Sequence, residues 1–112
     1  MNIKKDEYLL KIYQCKNKKL PFINWLESIK DTSVRVRIKN KLRRIEMGNF
    51  GDYKFLDSGV FELRLHFGSG YRIYFGKIKN TIILLLCGGD KKTQKNDIKK
   101  AKEYWKDYKI NS

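Results

Sequence analysis

The sequence predicts an α+β fold: a small antiparallel sheet, two N-terminal helices packed on one face, and a C-terminal helix. Three observations predict it. Apolar residues recur at helical spacing in two early stretches, the period drops to two from Asp52 onward, and helical spacing returns after Thr93. The chain of 112 residues is one domain's worth, so 1–112 reads as a single domain. Leu, Ile, Val and Phe make up 32 of those residues, which excludes disorder as the overall state.

The elements follow in order. Residues 8–13 (YLLKIY) read as a first strand, ended by the polar cluster 14–19. Pro21 suits a first helical position, where its missing N–H costs nothing. Phe22, Trp25, Leu26 and Ile29 then form one face of a short helix. Asp31-Thr32-Ser33 offers caps for a second helix, whose stripe is Val34, Ile38, Leu42 and Ile45. Its other faces carry Arg35, Arg37, Lys39, Lys41, Arg43 and Arg44, either a solvated face or an anion-binding one, and Gly48-Asn49 stops it. In 59–67, Phe61, Leu63, Leu65 and Phe67 alternate with Val60, Glu62, Arg64 and His66. Gly68-Ser69-Gly70 turns the chain into a partner strand, 71–77. Residues 81–87 are apolar on both faces, as a central strand covered on both sides would be, and Gly88-Gly89 ends it. A last helix starts at Thr93 as N-cap, with Ile98, Ala101, Trp105 and Tyr108 as its stripe.

Charge and cysteine usage narrow the function. Lys and Arg number 26 against 12 Asp and Glu, a net +14. A balance this basic points to a polyanionic partner, nucleic acid first, an acidic protein second, an anionic membrane surface third. No apolar run approaches the ~20 residues that span a bilayer. Met1–Asp6 shows no secretory leader, and Cys15 and Cys87 are too few for a disulfide framework, so a cytoplasmic setting is expected. No HExxH, CxxC or carboxylate cluster suggests a metal, and no cofactor is implied.

With Phe61, Leu63, Leu65, Ile73 and Phe75 facing the helices, the alternates Glu62, Arg64, His66, Arg72 and Tyr74 would project from the other, wet face as a mostly cationic patch. Beside it, the loop 88–93 leads to a helix N-terminus, where backbone N–H groups and Lys91 and Lys92 would suit a phosphate.

These same residues carry a resemblance. The stretches GNFGD (48–52), GVFELRLHFGSGYRIYF (59–75) and LLLCGGDKKTQ (84–94), followed by DIKKA (97–101), resemble the RelE/ParE toxin superfamily, in its HigB-like, phage-derived addiction-module subgroup. The likeness implies a RelE-like fold and the toxin of a type II toxin–antitoxin pair. RelE- and HigB-like members are messenger-RNA endonucleases, mostly ribosome-dependent, whereas ParE-like members inhibit DNA gyrase. A non-catalytic module that only holds an antitoxin or DNA is a further alternative. The implied partners are mRNA and the ribosome, a cognate antitoxin of helix-turn-helix, HigA-like type, and operator DNA reached through that antitoxin.

Position by position, the likeness implies catalytic roles for Arg64 before the turn, Arg72 just after Tyr71, and Lys91 or Lys92 in the loop after the last strand. Glu62 or His66 is the available base, the other orienting it; an ordinary histidine titrates near pH 6.5 and can take a proton at neutral pH. Lys92, Tyr74, Arg43, Arg44 and Lys95 are the expected RNA contacts. Where relatives carry a further lysine this chain has Glu62, and where several place Tyr or His near the last helix it has Asp97 and Ile98.

Overall fold

The computed structural model describes residues 7–111. The reading of the first six residues lies outside that range. The elements are β1 (Leu9–Ile12), α1 (Pro21–Ser28), α2 (Thr32–Glu46), β2 (Tyr53–Phe55), β3 (Phe61–Arg64), β4 (Arg72–Ile78), β5 (Ile82–Gly89) and α3 (Gln94–Asn111), with one 3-10 turn at Asp57–Gly59. Local chemistry explains the ends. Pro21 opens α1. Asp31 accepts the Ser33 N–H at 2.9 Å to cap α2. Gly48, at φ +82°, ends α2 while the Asn49 N–H returns to the Arg44 carbonyl at 2.8 Å.

The sheet order is β1-β5-β4-β3-β2. Three of its pairings are antiparallel, but β1 joins β5 in parallel, Leu9 opposite Ile82, so the sheet is mixed rather than wholly antiparallel. This α+β architecture is compatible with the RelE-like fold. Gly88 and Gly89 do not end the central strand; they extend it, pairing with Ile73 and Arg72. One register shift lies between Tyr74 and Phe75, where Leu86 becomes the extra residue on β5. Beyond it the side-chain alternation of β5 is reversed, so both Leu86 and Cys87 face the same core.

Two cores lie on opposite faces of the sheet. Phe22, Leu26, Ile38 and Ile45 of α1 and α2 pack on Leu63, Ile73, Phe75, Ile83 and Leu85. Ala101 and Trp105 of α3 pack on Val60, Tyr74, Leu84, Leu86 and Cys87. The last helix therefore covers the face that the strand alternation left for solvent. Leu84 and Leu86 demand it, because the apolar second face of β5 has no other cover. The wet-face expectation thus fails: Glu62 and Tyr74 are wholly buried, and Arg72 exposes only 13 % of its side chain.

Missing side chains let the helices approach. Trp105 lies where a Cβ on Gly76 would stand 2.3 Å from its ring, and Trp25 does the same at Gly88. Tyr13, at the end of β1, donates to Asp107 at 2.5 Å and stacks on Tyr104, tying the sheet edge to α3. Gly76→Ala is expected to destabilise the fold by about 1–3 kcal/mol through overpacking against Trp105. The denaturant midpoint should fall with its slope unchanged.

Candidate functional site

The antiparallel register of β3 and β4 sets Glu62 opposite Tyr74 and Arg64 opposite Arg72. Under the start of α3 these side chains converge on the Glu62 carboxylate. Tyr74 donates its hydroxyl to Oε2 at 2.9 Å and Gln94 its amide at 2.8 Å. Arg64 Nε stands 3.5 Å from Oε1 and Arg72 Nε 3.7 Å from Oε2, with Lys54 Nζ 3.9 Å from Oε1. A buried carboxylate is costly unless paired, and three cations with two donors meet that need. Burial, then the charge of Glu62, pushes the Tyr74 hydroxyl far above its ordinary range, so it remains a donor.

Both guanidiniums turn Nε toward Glu62. Arg72 braces itself further by donating Nη1 to the Gly70 carbonyl at 2.7 Å. Its buried Nε makes no hydrogen bond, so it meets Glu62 by charge alone. Gly70 lies close to both Arg72 and Lys91: a Cβ on it would lie 3.3 Å from Arg72 Nη1 and 3.5 Å from Lys91 Cβ. Arg64, Arg72 and His66 line a cleft of about 400 Å³ at the hairpin loop.

His66 remains exposed, and its Nε2 lies 2.6 Å from Asp52 Oδ2. In the neutral tautomer that donates to this carboxylate, the proton sits on Nε2 and Nδ1 carries the lone pair. The Arg64 N–H donates to the Asp52 carbonyl at 2.9 Å, so the strand that carries Arg64 also fixes the partner of His66.

The loop after β5 differs from its sequence reading. Asp90 turns its carboxylate onto the Lys92 and Thr93 N–H groups at 2.9 and 3.1 Å, while Thr93 Oγ1 accepts the Asp90 N–H at 3.2 Å. Those amides are already used, so the proposed phosphate cradle is closed by the protein's own carboxylate. Lys92 and Lys95 stand exposed at the start of α3, and Arg43 stands exposed on α2. Asp97, the residue at the position of interest near the last helix, accepts from Thr93 Oγ1 and has its carboxyl raised by burial. Cys87 is a core thiol, pushed up to about 12 by burial and then by Asp97. Among the described residues no group of His, Cys, Asp and Glu is placed to hold a metal, and no helix is long and apolar enough to cross a membrane.

The structure thus brings together Glu62, Arg64, Arg72 and Tyr74, with His66 on the adjoining cleft wall and Lys91 near Gly70. Sequence reasoning missed Asp52, Gln94 and Lys54. Lys54 was findable, because it pairs with Glu62 once β2 is recognised. Asp52 and Gln94 carry no spacing signal, since each reaches the site through tertiary packing.

A mixed sheet closed on both faces, with two arginines opposed on a hairpin, defines a basic α+β protein with a cationic cleft at the hairpin loop. The family model for "Phage derived protein Gp49-like" matches residues 24–106, and the chain belongs to that family, which is of the RelE/HigB-like addiction-module toxin type. An uncharacterized protein of Haemophilus influenzae is 45% identical over 83 residues, covering 74% of this chain and 84% of its own.

Asp90→Ala is expected to cost about 1 kcal/mol of stability by freeing two N–H groups in the turn ahead of α3. Thermal unfolding should show the loss, and amide exchange should quicken first at Lys92 and Thr93.

Proposed function

We propose that the protein is the toxin of a type II toxin–antitoxin pair and cleaves messenger RNA, on the ribosome, without a metal. The observation that carries this reading is the opposed pair Arg64 and Arg72, held on rigid strands by one buried carboxylate beside an exposed His66–Asp52 pair. That is a set of fixed cations for a phosphate with a base at its edge. Membership of an addiction-module family supports it.

In this mechanism His66 Nδ1 takes the proton of a ribose 2′-hydroxyl. The 2′-oxygen attacks the adjacent phosphorus, the bond to the 5′-oxygen breaks, and that oxygen is protonated from water. The products are a 2′,3′-cyclic phosphate and a 5′-hydroxyl. Arg64, Arg72 and Lys91 stabilise the charge that builds on the phosphorane oxygens. Glu62 has no open path to a substrate, so it is assigned to positioning rather than proton transfer. Its two oxygens draw in both Nε atoms, which leaves the terminal nitrogens of Arg64 and Nη2 of Arg72 for a phosphate, Arg72 Nη1 being held by the Gly70 carbonyl.

Purified protein incubated with ribosomes and message should yield defined cleavage ends bearing a 5′-hydroxyl. Expression in bacteria should arrest growth, and the cognate antitoxin should relieve the arrest. Intact message together with inhibited DNA supercoiling would overturn the reading in favour of gyrase.

Arg72→Ala should lower cleavage by roughly two to three orders of magnitude. Because Arg72 is mostly buried and braces Gly70, this variant should also melt earlier, so Arg72→Lys is the cleaner probe, with intermediate activity. Glu62→Gln should keep the substrate KM but lower kcat by up to about a hundredfold, as the guanidiniums lose their shared anchor.

His66→Ala should remove about two to four orders of magnitude of rate. Asp52→Asn should cost less, since the imidazole stays in place without its orienting carboxylate. Single-turnover cleavage at saturating ribosome and message ranks the two losses, with His66→Ala the larger.

A further inference from the structure

Two clefts meet at residues 64–67. One opens toward the hairpin and holds Arg64 and Arg72. The other, of about 510 Å³, runs between α2 and residues 51–52, with Arg37, Lys41 and Arg44 on the helix side and Arg64 and His66 on the opposite wall. The mechanism above gives this second cleft no task.

Its cations are placed, not loose. Arg37 lays its guanidinium on the Phe67 ring, 3.9 Å from the centroid. Lys41 brings Nζ against Gly51, at φ +71°, in space that any Cβ would fill. Among the described residues, none of Arg37, Lys41 and Arg44 has a carboxylate within ion-pair distance. The one carboxylate in the lining, Asp52, is engaged with His66. Burial, then the charge of Arg44, lowers the Lys41 ammonium below the ordinary lysine range. Like charges gathered this closely, with Asp52 the single carboxylate among them, carry a cost that a bound anion removes.

Resting on the reading of this protein as a ribonuclease, we propose that the α2 cleft is a second phosphate subsite, which takes the phosphodiester on the 5′ side of the attacking ribose. The polarity follows from the chemistry. The attacking ribose stands between two phosphates, and its 2′-hydroxyl attacks the one on its 3′ side, which the mechanism places against Arg64 and Arg72. The base must stand beside that ribose, and His66 lies in the wall that the two clefts share. A strand crossing that wall carries its preceding phosphate into the α2 cleft. A nucleic acid suits this better than an acidic peptide, because the two clefts are continuous and separated by the base.

The test uses deoxydinucleotides, which cannot be cleaved, competing against a fluorescent single-stranded RNA in anisotropy at low salt. One carries an added 5′-phosphate, the other an added 3′-phosphate. The 5′-phosphate should tighten binding about tenfold, and the 3′-phosphate much less. Arg37→Ala and Lys41→Ala should each remove most of the 5′ gain. Equal gains from both phosphates, no gain from either, or a 5′ gain that survives both variants would overturn the subsite. So would a poly-glutamate peptide that competes as well as the 5′-phosphorylated dinucleotide, which would make the cleft a protein-binding surface. The wild-type comparison needs no variant, so a variant that fails to fold leaves the test intact. A 5′ gain in a protein that cleaves nothing would sink the nuclease reading while leaving the phosphate site standing.

Discussion

A carboxylate with no access to water is the constraint around which this molecule is arranged. Glu62 is wholly buried on the second sheet face, and its two oxygens must be satisfied from within the protein. Tyr74 comes from the facing strand, Gln94 from the first turn of α3, and the cations from three different strands. None of these groups can leave without exposing the charge of another. The sheet register, the docking of the last helix and the direction of two guanidiniums are therefore one arrangement. Replacing the cluster with apolar residues would make a simpler core but would release the arginines.

Charge alone would not create a site. Much of the basic surface is solvated lysine on α3, where it serves solubility as well as binding. Cations acquire direction where packing holds them: Arg72 by the Gly70 carbonyl, Arg37 by the Phe67 ring, Lys41 by the space over Gly51. In each case a backbone feature or an aromatic face removes the side chain's freedom before any ligand arrives, which reduces the entropy lost on binding. Sequence counting treats Arg43 and Arg44 as equivalent neighbours, but the helix turns only Arg44 into the cleft.

The helices and the hairpin were legible because their signals are local. Pro21, Asp31 and Gly48 mark helix ends by their own backbone chemistry, and Phe61, Leu63, Ile73 and Phe75 display the period of two. The apolar run through Leu84 and Leu86 even announced that both sheet faces are covered. That signal conflicts with a wet face on the adjoining strands, and the structure resolves the conflict in favour of burial. The parallel pairing of β1 and the turn that Asp90 closes ahead of α3 were not legible, since partner choice for an edge strand and the rotamer of a loop carboxylate depend on distant atoms. The same holds for Asp52, whose carboxylate meets His66 where the Arg64 N–H holds its carbonyl.

The parallel pairing of β1 with β5 has a consequence in time. Leu9 must wait for Ile82 before its ladder can form, and Glu62 stays open to water until Gln94 and the rest of α3 arrive. A chain growing from its N-terminus thus holds both arginines long before it can aim them. During synthesis it would be a basic, incompletely closed sheet with no ordered phosphate cleft. The late arrival of the closing helix makes the aiming of both guanidiniums one of the last events of folding.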